Sequence, residues 1–366
     1  MAYDDEADDG ETSNEAVAEA AGLIYVHDDD PGLTRVKTEA GFDYLDAKQC
    51  PITDPKVIDR INALAIPPAY KNVWISKSPR GHIQATGRDE RGRKQYRYHE
   101  LWSAARAETK FARMAAFGRV LPALRDRIDH DLNKRGLPRE KVVATVVRLL
   151  ETTMIRVGND QYAKENKSFG LTTLRSRHLH LHGSEVEFEF KGKSGVQHKT
   201  SVQDRRLARV IRSIQELPGQ RLFQYVDSDG VRHAVGSDDV NAYLHEAMGE
   251  HFTAKDFRTW SGTLAAAKAL SMHPAPQTER EAKKTVTLCV KATAGLLGNT
   301  PAVCRSAYIH PEVLRAFVDQ RLPQAFAEVD GDEFEQAVLK WLDALAEEVE
   351  AETGQSKAAQ MKASRP

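Results

Sequence analysis

The stretch HLHLHGSEVEFEFKGKSGVQHKTSV, residues 178–202, sets the fold class of the chain. Val186, Phe188 and Phe190 alternate with glutamates, and this period of two is typical of a strand with one buried face. The segment KGKSG, residues 191–195, then interrupts the alternation with two glycines before a second run begins. The pattern therefore predicts a β-hairpin.

Helical patterns lie on both sides of this hairpin. In residues 140–157 the apolar side chains recur at helical spacing, and Val142, Val146 and Leu150 lie on the face that we expect to be buried. The same periodicity predicts further helices at about 99–134, 203–217, 238–249, 256–271, 278–297, 301–320 and 332–353. The sequence thus predicts one β-hairpin within a region that is otherwise helical.

The N-terminal part reads differently. Short strand patterns at 23–26, 33–36, 73–76 and 82–86 are separated by Gly, Pro and Asp, with one helix from Pro55 to Leu64. We therefore predict an α+β protein with a small β-rich N-terminal domain and a larger, mainly α-helical domain. The predicted segments are an acidic disordered tail (1–20), the β-rich domain (21–98), the helical domain (99–322), and an acidic C-terminal helix with a polar tail (323–366).

The charge is distributed unevenly along the chain. The net charge is -1, yet residues 1–30 contain eleven acidic and no basic side chains, and residues 322–354 contain ten acidic side chains and one lysine. Residues 31–321 therefore carry a net charge of +16. A body this basic indicates a polyanionic partner, although a mixed-charge soluble surface is the simpler alternative.

Cysteine usage and hydropathy indicate the compartment. Cys50, Cys289 and Cys304 are the only cysteines and form no CxxC pair, which argues against a disulfide framework or a zinc site. No apolar run approaches the ~18 residues of a membrane span, and the N-terminus lacks the pattern of a secretory signal. We expect a cytoplasmic protein without a membrane partner.

Five polar residues stand out as candidates for chemistry. Arg156 ends an apolar helix, Lys193 lies in the hairpin turn, and Arg258 begins a helix, so each is placed to meet an anion. Asn299 precedes a Thr-Pro helix start, and Tyr308 follows nine residues later. Each also has an ordinary alternative: a helix cap, a solvated turn lysine, a salt bridge or a packed tyrosine.

Taken in order, these residues and their surroundings resemble the type IB DNA topoisomerases of bacteria and poxviruses. The resemblance covers roughly residues 23–320 and rests on GRDERGRKQYRYH (87–99), MIRVGNDQYAKENKSFGLTTL (154–174), FKGKSGV (190–196), KDFRTW (255–260) and GNTPAVCRSAY (298–308). It implies a clamp around duplex DNA. It also implies relaxation of supercoils through transient single-strand cleavage, a 3′-phosphotyrosyl intermediate and religation.

The resemblance also implies a role for each candidate. Tyr308 matches the nucleophile, and Arg156 and Arg258 match the arginines that bind the scissile phosphate. Lys193 matches the general acid for the departing 5′ oxygen. Asn299 stands where poxviral relatives carry a histidine; it can donate a hydrogen bond but cannot carry a positive charge.

A second group of residues is expected to contact the DNA. Aromatic, amide and basic side chains alternate near the end of the β-rich domain, a mixture suited to backbone and groove contacts. This group comprises Arg88, Arg93, Lys94, Gln95, Tyr96 and Tyr98, together with Lys255 of the KDFRTW motif. We expect a monomer on double-stranded DNA, associated with the nucleoid.

No cofactor is expected. The sequence contains no Walker motif, no acidic metal cluster and no HExxH, which argues against a nucleotide or metal cofactor. His178, His180 and His182 alternate along a predicted strand, but no fourth ligand accompanies them, so we predict no metal site.

The main alternative is a tyrosine site-specific recombinase. That class normally carries a histidine where Lys255 stands, and its N-terminal module is helical, unlike residues 21–98. A DNA-binding protein without enzymatic activity would explain the charge but not the five ordered residues.

Overall fold

An antiparallel five-stranded sheet organises the N-terminal part of the chain. The computed structural model describes residues 14–39, 41–249 and 252–363. In chain order the strands are β1 (Leu33–Thr38), β2 (Gly41–Leu45), β3 (Lys71–Ile75), β4 (Ile83–Arg88) and β5 (Lys94–Tyr98). Their spatial order is β2-β1-β3-β4-β5.

One face of this sheet packs against a single helix. Ile61 of this helix (Pro55–Ala63) lies in one apolar cluster with Val73 and Ile75 of β3. The Asp54 carboxylate accepts a hydrogen bond from the Lys56 N–H at 2.9 Å and so caps the first turn. The strands predicted at 33–36, 73–76 and 82–86 and the helix from Pro55 are present, whereas the strand expected at 23–26 is reduced to one bridge between Ile24 and Gly81.

A short helix precedes the sheet. Residues 14–20 were predicted as part of a disordered tail, but they form helix α1 (Asn14–Ala20), and the helix at Pro55–Ala63 is accordingly α2. Val17 and Ala18 are buried in a cluster with Leu23 and Trp102. The prediction was wrong here because so short a helix depends on packing rather than on intrinsic propensity. The rest of the predicted tail, residues 1–13, lies outside the described residues.

The remainder of the chain is mainly helical, as predicted. Helix α4 (Arg139–Thr153) lies in its core, with Val142, Val146 and Leu150 fully shielded from solvent. The other helices are α3 (Glu100–Leu132), α5 (Asp160–Asn166), α6 (Arg205–Gln215), α7 (Ser237–Met248), α8 (Ala254–Ser271) and α9 (Glu279–Leu297), followed by α10 (Pro301–Ala307), α11 (Pro311–Val318) and α12 (Gly331–Ala363).

The chain divides into two compact units between Phe111 and Ala112. The division falls inside α3 rather than between residues 98 and 99, where the sequence pattern changes. The first turns of α3 belong to the first unit because Trp102 packs in the apolar cluster around α1.

The predicted hairpin forms the last two strands of a three-stranded sheet made of β6 (Leu179–His182), β7 (Glu185–Lys191) and β8 (Gln197–Gln203), with β7 in the centre. The side chains of Val186, Phe188 and Phe190 are buried on one face, as the alternation predicts. A two-stranded ribbon, β9 (Gln224–Val226) with β10 (Arg232–Ala234), was not predicted, since three-residue strands are too short to show a period.

Two predicted helices end earlier than expected. The segment 301–320 is not one helix, because α10 ends at Ala307 and Pro311 begins α11. Proline has no N–H to donate to the preceding turn, so it favours a new helix start. Similarly, the helix predicted at 140–157 stops at Thr153, where Met154 adopts a left-handed conformation.

The C-terminal helix is longer than predicted. A polar tail was expected after residue 353, yet α12 continues to Ala363 through a segment rich in good helix formers. At its start, the buried carboxylate of Glu335 accepts hydrogen bonds from Trp260 of α8 and Arg125 of α3, each at 2.6 Å. Among the described helices, none has the length and apolar character needed to cross a membrane.

Candidate active site

Arg156 lies in the extended segment that follows α4. The helix ends at Thr153, and the main-chain carbonyl of Arg156 accepts a hydrogen bond from the Leu171 N–H at 2.9 Å, which fixes the segment. The guanidinium Nη2 of Arg156 donates to Oδ1 of Asn299 at 2.5 Å, across 143 positions of sequence. Two of the five candidates are therefore in direct contact.

Asn299 is held in the short connection between α9 and α10. Gly298 ends α9 in a left-handed conformation (φ 60°), which favours glycine, and Thr300 caps α10 with Pro301 in its first turn, as predicted. The amide oxygen of Asn299 is used by Arg156. Its Nδ2 is buried and has no hydrogen-bond partner among the described residues. This nitrogen is available to an incoming acceptor.

Arg258 is the most buried candidate, with only 4% of its surface exposed. Its Nη1 donates to the main-chain oxygen of Met154, and its Nη2 donates to that of Leu297 at 2.6 Å. It therefore ties together the segments that carry Arg156 and Asn299. Burial and the positive charge of Arg156 lower the pKa of Arg258 to about 10, so it remains charged at neutral pH.

Tyr308 lies at the end of α10. The ring is close to Arg258, whose guanidinium carbon lies 5.2 Å from the ring centroid. Its main chain approaches α8 closely, because a β-carbon on Gly262 would collide with the Tyr308 carbonyl oxygen. The break between α10 and α11 thus places the phenol beside the buried arginine.

Lys193 lies in the turn between β7 and β8, as predicted. The turn is closed by a hydrogen bond from the Gly195 N–H to the Gly192 carbonyl at 3.0 Å. The ammonium of Lys193 lies 5.9 Å from the ring centroid of Tyr162 on α5. The hairpin is held next to the turn, where the Phe169 N–H donates to the Lys191 carbonyl at 2.8 Å.

The electrostatic character of the site is set by its two arginines. Within the described part of the chain, neither Arg156 nor Arg258 forms a salt bridge with a carboxylate; their acceptors include an amide oxygen, main-chain oxygens and the side chain of Tyr308. Buried charge without a counterion is costly in protein interiors. The unpartnered Nε of Arg258 and Nδ2 of Asn299 add two free donors, so the arrangement is suited to an anion.

Two residues at this site were not singled out from the sequence. Tyr162 lies within the MIRVGNDQYAKENKSFGLTTL motif, but nothing in the pattern relates it to Lys193. His198 of β8 pairs with Phe190 across the hairpin, and the alternation of the strand places it on the apolar face. The hairpin register could have identified His198, because it fixes which residue lies opposite Phe190.

The residues expected to contact DNA lie mostly on the β4–β5 hairpin of the first unit. Alternation in β5 separates Lys94, Tyr96 and Tyr98 on one face from Gln95 on the other, and the two tyrosine rings stack at 5.7 Å. Arg93 and Gln95 bind Asp89, whereas Lys94 binds Asp28 at 2.6 Å.

The remaining two are Arg88, which lies opposite Lys94 on the same hairpin, and Lys255, which lies far along the sequence. Arg88 ends β4 and donates to the Gly92 carbonyl at 2.9 Å. Lys255 is exposed in the first turn of α8, in the second unit.

The three histidines that alternate near β6 do not share an environment. His178 is buried in the turn before the strand, and burial lowers its pKa to about 4, whereas His180 and His182 are exposed. Among the described residues there is no group of three or more His, Cys, Asp or Glu side chains suited to a metal ion.

Comparison with known proteins places these residues in context. A family model described as the catalytic core of eukaryotic DNA topoisomerase I matches residues 99–324, and one described as the N-terminal domain of bacterial DNA topoisomerase IB matches residues 41–89. The chain is 34% identical over 309 residues to the DNA topoisomerase 1B of Acanthamoeba polyphaga mimivirus, covering 82% of this chain and 91% of the relative. It is 25% identical over 269 residues to the DNA topoisomerase 1B of Vaccinia virus (strain Copenhagen), covering 72% and 81%.

Proposed function

The chain belongs to the type IB DNA topoisomerase family, and from this premise we propose that it relaxes supercoiled DNA by cutting and resealing one strand. The proposal rests chiefly on one observation: Tyr308 lies beside two arginines whose charges no described carboxylate neutralises. Such a site has a nucleophile and a place for a phosphate, which are the two requirements for strand cleavage.

In the proposed reaction, the phenolic oxygen of Tyr308 attacks the scissile phosphorus and releases its proton to water. The bond between phosphorus and the 5′ oxygen breaks, and Lys193 donates a proton to that oxygen as it leaves. Arg156, Arg258 and Nδ2 of Asn299 bind the nonbridging oxygens, where negative charge grows in the transition state. The products are a 3′-phosphotyrosyl bond and a free 5′ hydroxyl.

Resealing is the reverse of this step. One phosphodiester is exchanged for another, so the reaction is nearly balanced in free energy, and we propose that it requires neither ATP nor metal. The 5′ hydroxyl attacks the phosphotyrosyl bond, Lys193 accepts the hydroxyl proton, and Tyr308 regains its own. While the strand is open, rotation of the free end releases supercoils.

The partner in this proposal is double-stranded DNA, bound by a monomer in the nucleoid of the cytoplasm. Residues 31–321 carry a net charge of +16, which supports attraction to a polyanion. We propose that the β4–β5 hairpin and Lys255 contact the duplex and that the two units close around it as a clamp.

The direct test is relaxation of a supercoiled plasmid in EDTA without ATP. The wild type should relax it to completion, and Tyr308→Phe should leave it supercoiled. A plasmid with no cognate recombination site also separates this activity from that of a tyrosine recombinase, which would leave such a substrate supercoiled. Failure of the wild type in EDTA would contradict the proposal.

The role of Lys193 has its own test. Sulfur at the 5′ bridging position is a good leaving group that does not need a proton. Lys193→Ala should therefore cleave ordinary DNA slowly and the bridging-sulfur substrate at close to the wild-type rate, as measured by single-turnover kinetics. Arg156→Ala should not be rescued in this way. Equal defects of Lys193→Ala on both substrates would contradict the general-acid role.

A further inference from the structure

His198 occupies a position that connects separate parts of the site. It lies on β8 directly opposite Phe190 of β7, and the two rings stack with centroids 5.2 Å apart and planes 11° from parallel. Phe190 is itself 4% exposed, so the stack anchors the imidazole in the apolar layer of the hairpin. One face of the His198 imidazole is therefore held by its stacking on Phe190.

Two glycines make room for the rest of the imidazole. A β-carbon on Gly192 would collide with its Cδ2, and one on Gly298 would lie 2.6 Å from its Cε1, closer than atoms can approach. Gly192 immediately precedes Lys193, and Gly298 immediately precedes Asn299. The ring is thus packed between the main chains that carry the general acid and the amide donor.

The charge around His198 favours the neutral imidazole. Burial comes first among the causes that lower its pKa, and the positive charges of Arg156 and Arg258 lower it further. A neutral ring adds no third positive charge to that of the two arginines. At neutral pH, His198 therefore acts through the packing of its ring and not through charge.

We propose that His198 is a positioning residue for strand cleavage, holding the Lys193 turn in register with the Gly298–Asn299 connection. The inference rests on the proposed function and adds a residue that acts through the placement of Lys193. The ammonium must reach the departing 5′ oxygen, and a misplacement of about 1 Å costs up to about 10²-fold in rate. The hydrogen bond from the Phe169 N–H to the Lys191 carbonyl ties the turn to the segment after α5, but it does not fix the turn against the Gly298–Asn299 connection, which the His198 ring contacts.

The test compares single-turnover cleavage of ordinary DNA with cleavage of the bridging-sulfur substrate. His198→Ala should lose at least about 10-fold on ordinary DNA because the turn is no longer held. It should recover most of this on the sulfur substrate, which does not use Lys193. His198→Phe keeps a ring stacked on Phe190 and should stay near the wild-type rate. His182→Ala, an exposed histidine of the same sheet, is the matched control and should behave as wild type on both substrates.

A second variant tests the contact itself. Gly192 has an extended backbone (φ -91°, ψ -166°) that alanine also adopts, so Gly192→Ala displaces the ring without straining the main chain. Gly192→Ala should show the same sulfur-rescued defect. In a His198→Ala background it should add little, because the ring that it would strike is gone.

The outcomes separate the two proposals. Wild-type enzyme that forms no covalent complex on either substrate would overturn the proposed function. If wild type and Lys193→Ala behave as expected while His198→Ala loses nothing, or loses equally on both substrates, the positioning role of His198 alone is overturned. The ratio of the two rates is the deciding measurement, since a general loss of folded protein would lower both rates alike.

Discussion

Lys94 of the β4–β5 hairpin and Arg156 of the candidate site are both basic, yet the oxygens that hold them differ in charge. Lys94 binds the carboxylate of Asp28 at 2.6 Å, and its neighbour Arg93 binds that of Asp89 at 2.7 Å. Arg156 instead donates to the neutral amide oxygen of Asn299. The hairpin cations Lys94 and Arg93 are each paired with a carboxylate, whereas Arg156 is not.

This difference distinguishes two uses of positive charge. A side chain paired with a carboxylate in partial contact with water can exchange that partner for a phosphate at small net gain, as surface ion pairs are weak. A buried arginine with only neutral acceptors gains most when an anion arrives, because the anion offsets the cost of its burial. We therefore expect the hairpin to modulate affinity and the site to determine the rate.

The largest effect is expected at Tyr308, whose loss removes the nucleophile and leaves every charge in place. Tyr308→Phe should bind duplex DNA as wild type does but form no covalent adduct, as measured on a denaturing gel with labelled DNA. Tyr225→Phe, a tyrosine of β9 in the same unit, should form adduct normally. Adduct in the Tyr308→Phe protein, mapped to another tyrosine, would contradict the assignment.

The next effect concerns the arginines that no carboxylate neutralises. Removing one preorganised donor to a transition-state oxyanion costs about 10²–10³-fold in rate, so Arg156→Ala and Arg258→Ala should each lose at least that much in single-turnover cleavage. Arg212→Ala, an exposed arginine of α6 that donates to the Gly183 carbonyl, should lose nothing. Near wild-type cleavage by Arg258→Ala would refute the phosphate-binding role.

Arg258→Ala should also unfold at a lower temperature than Arg156→Ala. Its guanidinium donates to the carbonyls of Met154 and Leu297, and removal leaves both without that donor. Thermal unfolding, measured beside the cleavage rates, separates this structural part from the catalytic part.

The elements that carry the site were largely predictable from local sequence. The alternation of Val186, Phe188 and Phe190 predicted the hairpin that carries Lys193, and Thr300 with Pro301 predicted where α10 begins. Both signals involve residues close together in the chain, where periodicity and capping have direct physical causes.

The contacts that assemble the site were not predictable in this way. The hydrogen bond from Arg156 to Asn299 joins residues 143 positions apart, and Arg258 reaches the carbonyl of Leu297 across 39 positions. Tertiary packing decides such contacts. The helix break after α10 is different, because Pro311 was a local signal for it, although apolar periodicity continues through the break.

A further prediction concerns a variant in which Arg156 is paired with a carboxylate, as Lys94 and Arg93 of the hairpin are. Asn299→Asp keeps the shape of the side chain but places a carboxylate on Arg156. Two like charges about 4 Å apart near a protein surface repel by up to about 4 kcal/mol, so we expect cleavage to slow on the order of 10²-fold as phosphate is repelled. The new ion pair should leave thermal stability unchanged or higher.

Asn299→Ala is the control for this change. It removes the amide without adding charge, so its loss in cleavage should be smaller than that of Asn299→Asp and of either arginine variant. Faster cleavage by Asn299→Asp than by Asn299→Ala would contradict the idea that the site binds phosphate because its arginines lack a carboxylate partner.

The smallest effect is expected from the opposite change, in which Lys94 of the hairpin loses the carboxylate that pairs with it. Asp28→Asn removes the carboxylate that holds Lys94 and leaves the ammonium free for DNA. Each phosphate neutralised steepens the dependence of log affinity on log salt by about 0.9, so binding of Asp28→Asn should be tighter at low salt and its slope steeper by about one unit or less. Asp59→Asn, on the exposed face of α2, changes the net charge equally and should steepen the slope less. Adding Lys94→Ala should return the Asp28→Asn slope to the wild-type value, because the released charge is then absent.

The cleavage rates of all these variants, measured at saturating protein, should equal that of the wild type, because Lys94 is expected to act in binding. A change in those rates would place Lys94 in the chemistry rather than in binding.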